Sequence, residues 1–246
     1  MYFSEKTKKE TKNKIINNPI LAIKTFNKDI NEIVKIVEAL PDDLKLENPI
    51  NIFEFQENFK KIPQNLRADT VLVFDTETTG LVGYVVSIAL ILYSIKEDKV
   101  LEEFYIELNP QVKIEKGAIE QHKITEDMVK DAPIFADVWE EKIKPFFDKA
   151  DFYVGQNLEF DLRVIARELE RMKVFYPLNK KVFDTMYFTK NIVNAKGVNG
   201  RKKNASLSEI IEYFNIKLDD YTFHNSLVDT KATLEIFKVL LNYKKE

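Results

Sequence analysis

The chain has 246 residues, of which 45% are hydrophobic and 31% are charged, which is the composition of a globular protein with its own core. It contains no cysteine, which excludes disulfides, cysteine-ligated zinc and thiol nucleophiles and fits a reducing cytoplasm. The formal net charge of −3 provides no overall basic field, so a nucleic-acid ligand has to be held by metal ions or by local basic patches.

The N-terminal quarter of the chain has helical periodicity but no catalytic pattern. It begins polar and lysine-rich, so we expect no secretory signal, and the longest apolar stretch, 81–93, is too short to span a membrane. Apolar residues recur every three to four positions over 20–40, and a second, shorter helix is predicted over 53–59. We therefore expect a helical extension over 1–66, which packs on the rest of the chain or on a protein partner.

The remaining sequence, 67–246, changes to strands alternating with helices. Strands are predicted over 70–75, 84–93, 100–108, 152–155 and 182–184, the second and third joined by a hairpin. Helices are predicted over 125–129, 135–149, 159–171, 206–214 and 227–243. Three strands followed by alternating helices and strands indicate an α/β domain, with a mixed five-stranded sheet and helices on both faces.

Two acids, Asp75 and Glu77, stand where the first strand is predicted to end. They have the same parity, so both side chains project from one face of the strand. Neighbouring carboxylates repel and raise each other's pKa unless a cation lies between them. Hard divalent ions such as Mg²⁺ or Mn²⁺ suit such oxygen ligands, although an isolated Asp-x-Glu also arises by chance.

Further polar residues follow later elements of the domain. Asp161 opens a helix after the fourth strand, and His224 and Asp229 stand at the start of the last helix. Taken singly, each acid is an ordinary helix-start charge and the histidine an ordinary loop residue. Taken together, the acids can converge at one edge of the sheet, where α/β folds place ligands.

Three segments carry a family resemblance. Residues 74–80, 154–161 and 224–229 resemble, in order and spacing, the three motifs of the DnaQ-like 3′–5′ exonuclease superfamily, in its histidine (DEDDh) branch. Residues 118–125 and 128–133 resemble the branch that contains the epsilon subunit of bacterial DNA polymerase III and the PolC exonuclease domain. The resemblance covers about 70–243 and implies an RNase H-like fold.

The resemblance also implies two-metal phosphodiester hydrolysis with two Mg²⁺ or Mn²⁺ ions. Asp75 would bridge both ions, Glu77 and Asp229 would help to hold the ion on the nucleophile side, and Asp161 would hold the other. His224 would act as general base. The expected product is a nucleoside 5′-monophosphate, released from a single-stranded or frayed 3′ end of DNA.

A set of substrate-facing residues follows from the same resemblance. These residues would contact the terminal nucleotide: Thr78, Thr79, Leu81, His122, Asn157 and Phe160. For Phe160, simple core packing is an equal alternative. A basic loop over 194–204 can touch the backbone of the incoming strand or form a solvated face.

The sequence departs from the family pattern at positions that affect substrate preference rather than metal binding. Gln156 stands where many relatives have His, Lys123 where Gly is common, and Ser87 where a Glu is frequent. An RNA 3′-end-trimming exoribonuclease is therefore the first alternative to a DNA exonuclease. A non-catalytic nucleic-acid-binding module is the second, although no expected metal ligand is missing.

Overall fold

The computed structural model describes residues 69–176, 178, 180–218 and 225–243. The predicted helical extension over 1–66 lies outside the described residues, so its boundary with the α/β domain stays a prediction. The candidate base His224 also lies outside the described residues.

The described part of the chain is built on a five-stranded mixed sheet. The strands are β1 (Thr70–Thr78), β2 (Val85–Ser94), β3 (Lys99–Glu107), β4 (Phe152–Gly155) and β5 (Lys181–Asp184). Their order in the sheet is β3-β2-β1-β4-β5. β2 pairs antiparallel with β3 and with β1, whereas β4 pairs parallel with β1 and with β5. The predicted mixed sheet and the hairpin between β2 and β3 are therefore confirmed.

Helices connect the strands and cover both faces of the sheet. They are α1 (Lys116–His122), α2 (Glu126–Val129), α3 (Phe135–Val138), α4 (Lys144–Lys149), α5 (Leu158–Met172), α6 (Thr185–Thr189), α7 (Leu207–Tyr213) and α8 (Ser226–Leu241). The helix predicted over 135–149 is not uniform, because a π-helical turn, Trp139–Ile143, separates α3 from α4. The short helices α1 and α6 were not predicted. Among the described helices, none combines the length and apolarity needed to cross a bilayer.

The alternation of β1 divides the interior into two cores. Leu72 and Phe74 face one side, where they join a cluster with residues of α3 to α5, and the rings of Phe74 and Phe147 lie 5.2 Å apart. Val71 and Val73 face the other side, where they join a cluster with Phe237 and other residues of α7 and α8. Both cores are fully buried, which fixes the register of β1 because a shift of one residue would exchange the two faces.

Strand β1 is longer than the sequence predicted. The expected end at Asp75 is wrong, because pairing with β2 continues as far as Thr78, opposite Val85. On its other side, β1 pairs with β4 only over Val71–Val73. The acids Asp75 and Glu77 therefore lie on a strand that projects beyond its parallel neighbour, rather than in a loop.

Asp184, the last residue of β5, joins two segments at the edge where β1 projects. Its buried carboxylate accepts hydrogen bonds from the N–H groups of Met186 (2.9 Å) and Tyr187 (3.3 Å), so it caps α6. It also accepts from the N–H groups of Asn157 (3.1 Å) and Leu158 (2.8 Å), which begin α5. Burial raises the pKa of Asp184 to about 6, although the four hydrogen bonds oppose the rise.

Replacing Asp184 should therefore destabilise the domain. We expect Asp184→Ala to lower the free energy of unfolding by about 2–4 kcal/mol, because it leaves four N–H groups without their acceptor. Asp184→Asn keeps one acceptor oxygen and should cost less. Urea unfolding measures both variants, and Asp127→Ala, at an exposed position in α2, is the matched control, with an expected change below about 0.5 kcal/mol. Equal effects at Asp184 and Asp127 would contradict the assignment.

Candidate active site

Asp75 and Glu77 project from the face of β1 that carries Val71 and Val73, as their parity predicted. Glu77 lies opposite Ser87 of β2 in the antiparallel register. Both acids are half-buried, whereas the apolar residues that precede them on this face are fully buried. The exposed end of the strand thus offers two carboxylates toward the side of the sheet that α8 covers.

Helix α8 brings Asp229 to the same face. The helix is capped by Asn225, whose side-chain oxygen accepts hydrogen bonds from the N–H groups of Leu227 (3.0 Å) and Val228 (3.3 Å). The buried hydroxyl groups of Ser226 and Ser87 are hydrogen-bonded at 2.9 Å, which ties the start of the helix to β2. Asp229, in the first turn, is thereby held near Glu77.

The three carboxylates form a compact cluster. One oxygen from each of Asp75, Glu77 and Asp229 lies within 4.8 Å of the others. Burial, followed by repulsion from Asp161, Glu77 and Asp229, raises the pKa of Asp75 well above its usual value. Burial, followed by repulsion from Asp229 and Asp161, raises the pKa of Glu77 to about 8. Oxygen ligands whose charges oppose one another are suited to a divalent cation, so the donor set fits one.

Asp161 approaches from the opposite face. It lies in the first turn of α5, and its buried Oδ1 accepts hydrogen bonds from the N–H (3.0 Å) and the hydroxyl (2.7 Å) of Thr76. Burial raises the pKa of Asp161 to about 7, while both bonds from Thr76 oppose that rise and repulsion from Asp184 adds to it. Asp161 therefore lies beside the three-acid cluster, close enough to raise the pKa of Asp75, but is not one of its three members.

A tight turn follows the acids. Thr79 is buried, and its hydroxyl accepts a hydrogen bond from the N–H of Tyr84 at 3.1 Å. The N–H of Gly83 donates to the carbonyl of Gly80 at 3.0 Å, and an added Cβ at Gly83 would lie 2.6 Å from the backbone nitrogen of Gly80. The turn between them presents Leu81, which is 82% exposed, and Val82, which is 80% exposed. An apolar tip thus stands next to the carboxylates.

The other predicted substrate residues occupy different settings. His122 is buried; its Nδ1 accepts from the N–H of Ile124 (3.0 Å), so Nε2 carries the proton and donates to the carbonyl of Thr78 (3.2 Å). Thr78 is buried as well. Asn157 is exposed with a left-handed backbone (φ 62°), and Phe160 is half-buried against the core beneath α5. His122 thus supports the backbone of the turn, and Phe160 is partly a packing residue.

Four residues that shape the site were not identified as candidates from the sequence: Thr76, Ser226, Asn225 and Asp184. Asn225 was detectable, because Asn before an apolar periodic segment is a standard N-cap signal. Asp184 also caps the helix that follows it, but its bonds to the start of α5, like the contacts of Thr76 and Ser226, join distant segments, for which a single sequence holds no local signal.

A mixed five-stranded sheet with flanking helices, and with carboxylates gathered where β1 extends past β4, is the architecture of the RNase H-like exonuclease fold. The family model described as "Exonuclease", of RNase T type, matches residues 72–237. The chain belongs to this exonuclease family, and its three motifs resemble those of the DnaQ-like (DEDDh) superfamily.

Curated relatives include DNA polymerases III of the PolC type. The chain is 30% identical over 189 residues to the PolC-type DNA polymerase III of Staphylococcus haemolyticus, covering 76% of this chain and 12% of the polymerase. It is 30% identical over 178 residues to that of Caldanaerobacter subterraneus, covering 71% of this chain and 12% of the relative. The chain thus spans only 12% of the length of these relatives.

Solved structures confirm the fold. Exonuclease X in complex with 5′ overhanging duplex DNA has a TM-score of 0.54 at 23% identity, over 70% of this chain and 91% of that one. The nuclease domain of 3′hExo, a DEDDh family member bound to rAMP, has a TM-score of 0.58 at 16% identity, over 72% and 94%. E. coli exonuclease I in complex with a dA16 oligonucleotide has a TM-score of 0.60 at 17% identity, over 72% and 41%.

The raised pKa values predict how the metal-free protein responds to pH. Between the ordinary glutamate pKa of 4.5 and about 8, the folded chain holds the Glu77 proton more tightly than the unfolded chain, so stability contributed by this group falls as pH rises. We expect the free energy of unfolding in chelator to fall across this range, and Mg²⁺ or Mn²⁺ to restore it increasingly toward pH 8. Urea unfolding at several pH values, with and without the cation, measures this.

Glu77→Gln should flatten the pH dependence in chelator and reduce the stabilisation by the cation. Glu120→Gln, which removes an exposed carboxylate of α1, is the matched control and should change neither. Identical responses of the parent and Glu77→Gln would show that the cluster does not bind the cation.

Proposed function

We propose that the protein is a metal-dependent 3′–5′ exonuclease that removes nucleoside 5′-monophosphates from the 3′ ends of DNA. The observation that carries this proposal is the meeting of three carboxylates within 4.8 Å, with Asp161 beside them, at the projecting end of β1. Membership of the exonuclease family and the similarity to PolC-type DNA polymerases support the reaction and the substrate.

Asp75, Glu77 and Asp229 bind divalent cations in this proposal, and Asp161 completes the ligand set from the other face of β1. These acids would hold two Mg²⁺ or Mn²⁺ ions, which would supply an activated water and stabilise the leaving 3′-oxygen when bound. His224 directly precedes the N-cap of α8 in the sequence, five residues before Asp229, and we assign it to accept the proton of the water.

The turn after β1 receives the terminal nucleotide. The exposed side chain of Leu81 contacts the base, and the backbone of Thr78 and Thr79 positions the sugar and phosphate. His122 holds that backbone through its bond to the Thr78 carbonyl, so its role at the site is indirect. Asn157 and Phe160, at the start of α5, line the side next to Asp161.

RNA is the second candidate substrate. The observation that favours it is the fold shared with the 3′hExo nuclease domain, whose structure contains rAMP. The sugar would decide between the two, because a 2′-hydroxyl must be accommodated or excluded beside the terminal pocket. From the helical periodicity of the sequence, we also propose that 1–66 is an N-terminal extension that packs on the rest of the chain or on a protein partner.

Hydrolysis of end-labelled oligonucleotides tests the reaction. With Mg²⁺ or Mn²⁺, we expect mononucleotides to be released from the 3′ end of single-stranded DNA, more slowly from RNA of the same sequence, and not at all in EDTA. Asp75→Ala and Asp229→Asn should lower the rate by about 100-fold or more, because each removes a ligand of the cation.

Asp127→Asn, which neutralises an exposed acid outside the site, is the control and should leave the rate unchanged. Faster digestion of RNA would make the exoribonuclease the correct assignment. If neither polymer is cleaved while both are bound, the protein is a binding module.

Thr76 should tune the metal site through Asp161. In Thr76→Val the hydroxyl bond to Asp161 is lost while the N–H bond and the shape remain, so the pKa of Asp161 should rise further. We expect the Mg²⁺ concentration for half-maximal activity to increase about 10-fold, most strongly at low pH. Thr189→Val, which removes the buried hydroxyl bonded to the Thr185 carbonyl, is the control. An unchanged requirement for Mg²⁺ would rule out this role for Thr76.

A further inference from the structure

A basic hairpin occupies residues 195–205, between α6 and α7. Lys196 and Lys202 form an antiparallel bridge, and the Gly197 N–H donates to the Arg201 carbonyl at 2.8 Å. The turn closes with the N–H of Gly200 bonded to the carbonyl of Gly197, where Gly200 adopts a positive φ of 71°. The segment therefore has a defined backbone, and its tip residue Val198 is fully exposed.

The charge of this region is entirely of one sign. From Thr185 to Ser208 the sequence has five basic residues and no acidic one, although acids number 40 in the whole chain. Lys203 pairs with Glu209, and Lys202 donates to the side chain of Asn191. Lys196 and Arg201 are exposed and make no ion pair within the described residues. Within the basic hairpin itself, the cationic groups of Lys196 and Arg201 are thus available to a ligand.

The basic hairpin is attached to the edge that carries the acids. Its ends, Ala195 and Ala205, are buried in the core formed with α7 and α8. The side-chain amide of Gln156 donates to the Ala205 carbonyl at 3.0 Å. Gln156 lies in the turn between β4 and α5. The N–H groups of the two residues that follow it donate to Asp184, and α5 itself carries Asp161. The basic hairpin is therefore fixed relative to the candidate active site.

The sheet order gives the separation between the strand that carries the acids and the strand that leads into the basic hairpin. β5, which precedes the hairpin, is two strands away from β1 in the sheet, or about 10 Å at the usual strand spacing. The acidic cluster repels phosphate unless cations screen it, and the net charge of −3 gives no general attraction for nucleic acid. A DNA strand with its 3′ end at the acids therefore needs a local cationic contact for its next phosphates.

We propose that the basic hairpin binds the phosphodiester backbone of single-stranded DNA upstream of the 3′-terminal nucleotide, mainly through Lys196 and Arg201. This inference rests on the proposed exonuclease function and adds to it a second contact outside the catalytic pocket. Contacts of this kind are independent of base sequence and sensitive to salt.

The double variant Lys196→Gln/Arg201→Gln tests the proposal with two substrates of different length. For a 20-nucleotide single strand we expect KM to rise about 10-fold with little change in kcat, because two phosphate contacts are lost. The slope of log KM against log salt concentration should fall by about 1.4, at about 0.7 per contact with a single strand. The p-nitrophenyl ester of thymidine 5′-monophosphate has no upstream phosphate, and its hydrolysis should be unchanged.

Lys96→Gln/Lys142→Gln is the matched control, because it removes two exposed positive charges that lie outside the basic hairpin. Equal KM values for the parent and the Lys196/Arg201 variant on the long strand, with the ester still hydrolysed, would overturn the hairpin proposal and leave the exonuclease assignment intact. If the parent hydrolyses neither substrate, the proposed exonuclease function is wrong, and the hairpin proposal is tested by binding alone. Fluorescence anisotropy with a labelled 20-nucleotide strand then decides the hairpin: a Kd that the variant leaves unchanged overturns it, and a rise of about 10-fold supports it.

Discussion

The candidate site depends on the alternation of side chains along a strand that is longer than its parallel neighbour. Where β1 is flanked by β4, its two faces pack against two apolar cores, and this packing fixes the register of the strand. Beyond Val73 the same alternation continues without β4. It directs Asp75 and Glu77 toward α8 and Thr76 toward α5. The apolar residues thus determine where the carboxylates point.

The cluster is held together by contacts that do not themselves involve its charges. The Asn225 cap and the Ser226–Ser87 bond fix the start of α8, and Asp184 fixes the start of α5. These bonds maintain a group of acids whose pKa values are raised by burial and mutual repulsion. Such an arrangement lowers the free energy of unfolding of the cation-free chain, and it makes the binding free energy of a divalent cation more favourable. The scaffold opposes the repulsion and keeps the carboxylates in place.

The sequence was informative where a signal is local. The order of strands and helices, the shared face of Asp75 and Glu77, and the positions of Asp161 and Asp229 in first helical turns all follow from periodicity and spacing. The end of β1 was missed because Thr76–Thr78 looks like a loop until β2 supplies its partners. That Asp161 bonds to Thr76, and that His122 supports the turn rather than facing open solvent, depends on contacts between segments more than 40 residues apart.

The candidate site combines two regions of opposite charge, the acidic cluster and the basic hairpin, which are connected through the turn before α5. Carboxylates lie on β1, and cationic side chains lie on the basic hairpin that follows α6, with Gln156 connecting the hairpin to the turn before α5. In this proposal a phosphate backbone binds the hairpin directly but would reach the acids only together with cations, so binding and hydrolysis would have different ionic requirements. Cations bound there would also relieve the repulsion among the acids and so join the hairpin and the acids into one site. An oligonucleotide that occupies the hairpin without divalent ions would be bound but not cleaved.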